Sequence, residues 1–492
     1  MTEAIVANRV WYISVLAVYL LGILALGTYF TRRMKTDEDF YVAGGKLSAV
    51  VTGASYSATQ ISAGTFIGAV GAAATMGYNY VPVAISATAA PWSTFLFIGE
   101  RVRRVAGRIG ALTYGDILER RFGPACRLVY AVIIVLFYVP LLVAQFKGAG
   151  NIMQVLLGWD YVPSVFLSAA IAIFYTAAAG MLGDAYSDLI QVIVMVVGLI
   201  ILLPTAVSAA GGFAGMHAKL ATIDPKLVHL AGIMPAIWGF SNIIHWSVLN
   251  IGGAPHAIFR FLAAKDVKQL RRALLWALCF NGFLLFACGM LGPVGRVMFP
   301  TLKDRDLTTP LLAATLLHPL LTGLMLSAII AAIMSTVDSV MVLGASAVCR
   351  DIYQRFMNPQ MTPAQRLKIS RIVTIILGLI GVVGAVRPIT AVQWFVAFSF
   401  AVGAAAFTFP LLFAMWWPRA TKDGALAGMV GGAAVCLFWY GLSWSWYRSF
   451  SKFPYGIWPS IIGTAVSLVL TVAVSLLTKP APKEVLHEFY AP

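Results

Sequence analysis

Ser57-Ala-Thr-Gln-Ile-Ser-Ala-Gly-Thr65 and Gly239-Phe-Ser-Asn-Ile-Ile-His-Trp-Ser247 are polar, glycine-containing runs set inside apolar segments long enough to cross a membrane. Lipid offers no partner for a backbone N–H or C=O, so a helix broken at membrane depth must be buried in protein or line a cavity. Asn250 and Gly252-Gly253 prolong the second break. The two runs fall five helices apart, where corresponding segments of an inverted five-helix repeat would lie, and paired interruptions of that kind mark a transport site. Small residues also let helices pack closely. That explanation suits one isolated serine or glycine better than two matched clusters.

The rest of the chain fits this reading. Of 492 residues, 60% are hydrophobic and 11% charged, whereas soluble domains carry about a quarter charged residues. Apolar runs of about 20 residues, enough to span the hydrocarbon core as helix, are expected at 11 to 30, 50 to 74, 81 to 99, 128 to 150, 162 to 179, 186 to 207 and 231 to 252. Six more follow at 273 to 293, 320 to 346, 370 to 386, 391 to 415, 424 to 442 and 456 to 477. We call the first the leader helix and number the other twelve from helix 1. The expected organisation is a leader helix and loop (1–49), a first repeat (50–207), a second repeat (208–415), and two peripheral helices with a short tail (416–492).

The net charge of +16 does not indicate nucleic acid, because the basic residues sit in short loops rather than on a folded surface. With the N-terminus outside, 25 of the 35 Lys and Arg fall in loops on the cytoplasmic side. The positive-inside rule therefore predicts an N-terminus outside and a C-terminus in the cytoplasm. The leader helix is expected to remain as a span, since its apolar stretch is long and Arg32, Arg33 and Lys35 follow it. The five cysteines are scattered and read as small core residues. No obligate protein partner is evident.

Charges at membrane depth are costly and point to function. Asp188 in helix 5, Asp338 in helix 8 and Lys147 in helix 3 fall there, with Asp184 at the mouth of helix 5. Asp188 begins an Asp-x-x-Gln turn that sets Gln191 on the same face, and an ion path is favoured for it over a structural ion pair. Asp338 is a candidate second cation position shared with Ser339 and faced by Asp188. Lys147 either adds positive potential to the pocket or snorkels outward. In helix 8, Ala332, Ser335, Thr336 and Ser339 lie at i, i+3, i+4 and i+7, one oxygen-lined face. Hard cations prefer such ligands. The alternative is that each hydroxyl bonds back to its own helix.

These features resemble the sodium/solute symporter family. The resemblance rests on Asp39-Phe-Tyr-Val-Ala-Gly-Gly-Lys46, Ala58-Thr-Gln-Ile-Ser62, Thr113-Tyr-Gly-Asp-Ile-Leu-Glu-Arg-Arg-Phe-Gly123, Ser187-Asp-Leu-Ile-Gln191, Gly253-Ala-Pro-His-Ala-Ile-Phe-Arg260, Ala331-Ala-Ile-Met-Ser-Thr336 and Arg419-Ala-Thr-Lys-Asp-Gly-Ala-Leu-Ala-Gly428, in that order. It implies an all-α membrane protein with a LeuT-like 5+5 inverted-repeat core and about thirteen transmembrane helices. It also implies a sodium site at Ala58, Ile61, Ala332, Ser335 and Thr336, and an ion-path role for Asp188. Proline carriers of the family have an aspartate where Gln60 stands. Ala209-Ala-Gly-Gly-Phe213, Thr222-Ile-Asp-Pro-Lys-Leu-Val228, Gly295-Arg-Val-Met-Phe-Pro-Thr-Leu302 and Arg350-Asp-Ile-Tyr353 are similar to the sodium/pantothenate branch.

The expected activity is sodium-coupled import of a small organic solute, a carboxylate such as pantothenate, by alternating access. The solute pocket is placed at Gln60, Ser62, Thr65, Gln145, Ser247, Asn250 and Ser399. Rival readings are a proton-coupled carrier using Asp188 and Asp338, a sodium/proline-type carrier, and a sensor module. The 15 residues after the last expected span leave no room for a signalling domain, which sets the sensor aside. No His-x-x-x-His, Gly-x-Ser-x-Gly or paired-aspartate signature supports an enzyme.

Overall fold

Crossing lipid without unpaired backbone groups leaves helix as the solution for a chain with these long apolar runs. The computed structural model, which describes residues 8–31 and 42–490, is built that way. Among the described residues the one departure toward sheet is an isolated bridge between Leu47 and Ala264. Residues 39–41 of the Asp39 to Lys46 motif lie outside the described residues.

The leader helix is Arg9–Thr31. Helix 1 is split into Ala49–Gln60, expected to be its inner half, and a second half beginning at Gly64, expected to be its outer half, with a 53° bend between them. The second half starts as a π-helix, Gly64–Ala69. Helix 2 lies in Val81–Ile109 and helix 3 in Pro124–Leu157. Helices 4 and 5 share the helical run Tyr161–Ala209, whose 49 residues are more than twice one crossing. Helix 6 breaks into Ala236–Ser247 and Asn250–Gly253, with Pro255–Ile258 and Arg260–Ala263 beyond. Helices 7 to 12 are Val267–Met298, Pro319–Ser346, Pro363–Val386, Val392–Trp416, Lys422–Tyr447 and Pro459–Leu477.

Among the described residues, ten helices are long and apolar enough to span, or eleven with the bent pair of helix 1. The two remaining expected spans are present in shorter form. Helix 4 is represented by the apolar segment Tyr161–Phe174, and helix 6 is interrupted before it reaches spanning length, as its polar run predicts.

Burial sorts the helices. In the most apolar stretch of helix 8, 83% of residues are buried, and in helix 10, 78%, against 17% in the leader helix. Helices 8 and 10 are thus central and the leader is peripheral. Helix 6 approaches helix 10 through Gly252, where a Cβ would lie 2.4 Å from the Thr408 amide nitrogen.

The loops richest in Lys and Arg meet on one face. Arg103 donates to the Ala264 carbonyl, Arg121 to the Trp417 and Pro418 carbonyls, and Arg120 pairs with Glu488 of the terminal helix Lys483–Tyr490. At the start of helix 3, buried Arg127 gathers Asp351 (2.6 Å), Glu119 (2.7 Å) and Asp116 (2.9 Å). Asp116 and Glu119 have second partners in Arg350 and Arg355, so removing Arg127 would strand chiefly the fully buried Asp351, which keeps only the Thr113 hydroxyl. Arg127→Met is therefore expected to lower stability by about 3 to 5 kcal/mol, read as a drop in the thermal unfolding midpoint of purified protein. An unchanged midpoint would show that Asp351 does not depend on Arg127.

Candidate transport site

The break in helix 1 is held open by side chains. Ile61 has an extended backbone (φ −86°, ψ 114°), and the amides of Thr65 and Phe66 both donate to the Ser62 carbonyl rather than to that of Ile61. The Ala63 amide donates to Gln145 Oε1 (3.0 Å) and the Gly64 amide to Ser62 Oγ (3.0 Å). Helix 8 then docks on the inner half of helix 1. Ser335 Oγ donates to the Ala58 carbonyl (2.8 Å) and Thr336 Oγ1 to the Thr59 carbonyl (3.2 Å). Both hydroxyls also lie within bonding distance of the Ala332 carbonyl, at 3.0 and 3.3 Å. Bonding across to helix 1 and bonding back along helix 8 therefore occur together. Ala58, Ile61, Ala332, Ser335 and Thr336 are all buried; the contacts gather the carbonyls of Ala58, Thr59 and Ala332 with the two hydroxyls, a set of oxygens of the kind a hard cation takes, while Ile61 lies on the wall of the neighbouring cavity.

Beside this contact lies a narrow, partly open cavity at the helix 1 break. Gln60, Ser62 and Thr65 line it as expected. The other four expected pocket residues do not. Gln145 braces the helix 1 break, and Ser247 Oγ turns back to the Ile243 carbonyl (2.6 Å). Asn250 Oδ1 accepts from Gln60 Nε2 (3.0 Å) and so positions a lining residue from behind. Ser399 Oγ faces the Phe395 carbonyl (3.4 Å) while its neighbour Phe400 lines the cavity.

Toward the basic face, Arg260 sits at the centre of a buried network. It pairs with Asp184 and with Asp188 (3.3 Å), and donates to Ser55 Oγ (3.0 Å) and Ser339 Oγ (2.6 Å). Ser55 Oγ in turn donates to Asp188 (2.5 Å). Asp188 thus has the ion-pair partner that the sequence reading had ranked second. Asp338 accepts from Thr176, and Ser339 Oγ lies 3.1 Å from Thr59 Oγ1. Lys147 neither lines the cavity nor reaches outward. Its Nζ pairs with Asp306, in the short turn Arg305–Leu307 before helix 8. Burial pushes the Asp306 carboxyl up, against the opposing pull of the Lys147 ammonium.

Comparison with known proteins settles the lineage. The profile of the sodium:solute symporter family matches residues 40–432. The chain belongs to that family. It is a transporter rather than an enzyme, and the family's coupling ion is sodium. The symporter is 29% identical to the sodium/pantothenate symporter of Escherichia coli over 427 residues, covering 85% of this chain and 88% of the relative. It is 27% identical over 480 residues to the osmoregulated proline transporter OpuE of Bacillus subtilis, covering 95% of each chain. Its fold is similar to that of a Na+-coupled sialic acid symporter solved in a substrate-bound outward-open state, with a TM-score of 0.77, 21% identity and coverage of 96% and 99%.

The symporter's cavity also contains residues the sequence reading missed. Tyr80, Trp246, Asn281, Gln393 and Phe400 line it. Trp246 lies inside the helix 6 run quoted above, next to the serine chosen instead. Asn281 and Gln393 are single amides within apolar helices, a signal of the same kind as Gln145 but without a surrounding cluster.

Proposed function

We propose that this symporter imports a small carboxylate-bearing solute, with pantothenate as the representative, by alternating access across a bacterial inner membrane, N-terminus periplasmic and C-terminus cytoplasmic. The observation that carries the reading is the cavity at the helix 1 break, directly beside the oxygen cluster between helices 1 and 8. Sodium held by Ala58, Ile61, Ala332, Ser335 and Thr336 pins the inner half of helix 1 to helix 8. That fixes Gln60, Ser62 and Thr65 for the solute. One sodium ion moving down 100 mV supplies about 2.3 kcal/mol, a roughly fifty-fold solute gradient.

The solute class follows from the lining. The cavity wall has uncharged polar groups and aromatic rings and no charged side chain of either sign, so the helix end is the feature that selects by charge. The N-terminal end of the outer half of helix 1, at Gly64, favours negative charge by about 0.3 to 1 kcal/mol. That end suits a carboxylate. A proline-type solute is the second reading, favoured by the similarity to OpuE.

Competition decides between them. In vesicles energised with sodium, uptake of labelled pantothenate is expected to be inhibited by unlabelled pantothenate and not by galactose or proline, and to disappear when choline replaces sodium. Proline uptake without pantothenate uptake would establish the second reading. Uptake surviving in choline but abolished by a protonophore would replace sodium coupling with proton coupling.

A further inference from the structure

The buried Lys147–Asp306 pair has no part in the mechanism above, yet its surroundings lead directly to the cavity. One carboxylate oxygen of Asp306 meets Lys147 Nζ and also accepts the Val392 N–H at 3.1 Å. Val392 is the first residue of helix 10, and Ala391 before it has no side chain able to cap that end. Asp306 therefore supplies from a distant turn an acceptor for the first N–H of helix 10, which a local cap, serving the second or third N–H, would not reach. The next residue, Gln393, lines the cavity. Its backbone rests against Gly68 of helix 1, where a Cβ would come within 2.7 Å of the Gln393 nitrogen. The same loop also grips the outer half of helix 1, since Thr309 Oγ1 donates to the Phe66 carbonyl.

We propose that Asp306, held by Lys147, is a positioning residue for the solute pocket: it caps helix 10 at Val392 and so fixes Gln393 against the broken helix 1. Buried ion pairs contribute little to stability compared with well-packed apolar residues. A pair retained here is better explained by the geometry it imposes. The inference rests on the proposal that this cavity holds the solute.

The experiment compares two neutralised variants that differ in the cap alone. Lys147→Met with Asp306→Asn removes both charges but keeps an acceptor for Val392. Lys147→Met with Asp306→Ala removes the acceptor as well. The reporter is Gln393→Cys in a Cys279→Ser background, and the readout is its rate of modification by a cationic methanethiosulfonate reagent in purified full-length protein. The Ala variant is expected to raise the rate at least fivefold, and the Asn variant to stay within twofold of the parent. Without the reporter, the pantothenate KM is expected to rise about tenfold in the Ala variant, with the maximal rate within threefold, because a lost binding geometry raises KM ahead of kcat. Equal modification rates in the two variants would overturn the positioning role. A parent chain that does not carry pantothenate would refute the solute assignment alone, and the labelling result would still decide this inference.

Discussion

Arg260→Met is expected to abolish sodium-dependent uptake and to lower stability by about 3 to 5 kcal/mol, the usual range when one partner of a buried ion pair is removed. Arg260 is 1% exposed, and its guanidinium is the side-chain partner of Asp184 and one of two partners of Asp188. Methionine fills a similar volume, so the loss would come from charge rather than from a cavity. Asp184 would be left most exposed to that loss, because Ser55 still serves Asp188. The combination Arg260→Met with Asp184→Asn is therefore expected to recover most of the thermal midpoint, since the orphaned charge is gone. Uptake is the separate readout. Recovery of the midpoint together with uptake would make the network structural. Recovery of the midpoint alone would keep these carboxylates in the ion path. A single variant with an unchanged midpoint would contradict the burial argument.

Arg260 also shows where sequence reasoning stops. It is one of five Lys and Arg at 253 to 272, between the expected spans of helices 6 and 7. The count gave a consistent side for the basic loops, and the structure does gather them on one face. Yet Pro255–Ile258 and Arg260–Ala263 fold back into the protein and bury one of those charges. Hydropathy cannot separate a solvated loop arginine from one buried 72 positions from its partner aspartate. The same holds for Lys147, whose partner Asp306 is 159 positions away in a short turn. Local patterns fared better. The helix 1 break was legible as a polar, glycine-containing cluster, and spacing set Ala332, Ser335, Thr336 and Ser339 on one face of helix 8, but it left open whether those hydroxyls turn to helix 1 or back along their own helix. What stayed hidden was direction: Gln145, Asn250 and Gln393 are all amides at membrane depth, and the chain's path decides which brace a backbone, which hold a neighbour and which face the cavity.

The helix 8 face supports the second large effect. Ser335→Ala is expected to raise the sodium concentration for half-maximal effect by about 10- to 100-fold, since a hydrogen bond or ligand contact to a charged species contributes about 1.5 to 3 kcal/mol. Ser335 is the hydroxyl most tightly joined to helix 1, at 2.8 Å from the Ala58 carbonyl. Thr336→Ala should act in the same direction, and the double variant should fall short of the sum because both oxygens serve one ion. Ser339→Ala is the control. Its hydroxyl bonds to the Ser335 carbonyl and Arg260 and touches Thr59 through a side chain rather than a helix 1 carbonyl, so its sodium response should move less than that of Ser335→Ala. The measurement need not involve any solute: sodium that binds the folded state alone stabilises it by mass action, and the thermal midpoint across a sodium titration, with choline holding ionic strength, gives the half-maximal concentration directly. If Ser335 served only to bond back to the Ala332 carbonyl, 3.0 Å away on its own helix, alanine would leave that titration within about twofold, because a helix hydroxyl returned to its own backbone has little effect on the ion. A shift confined to Ser339→Ala would instead move the sodium site toward Arg260 and away from the helix 1 carbonyls.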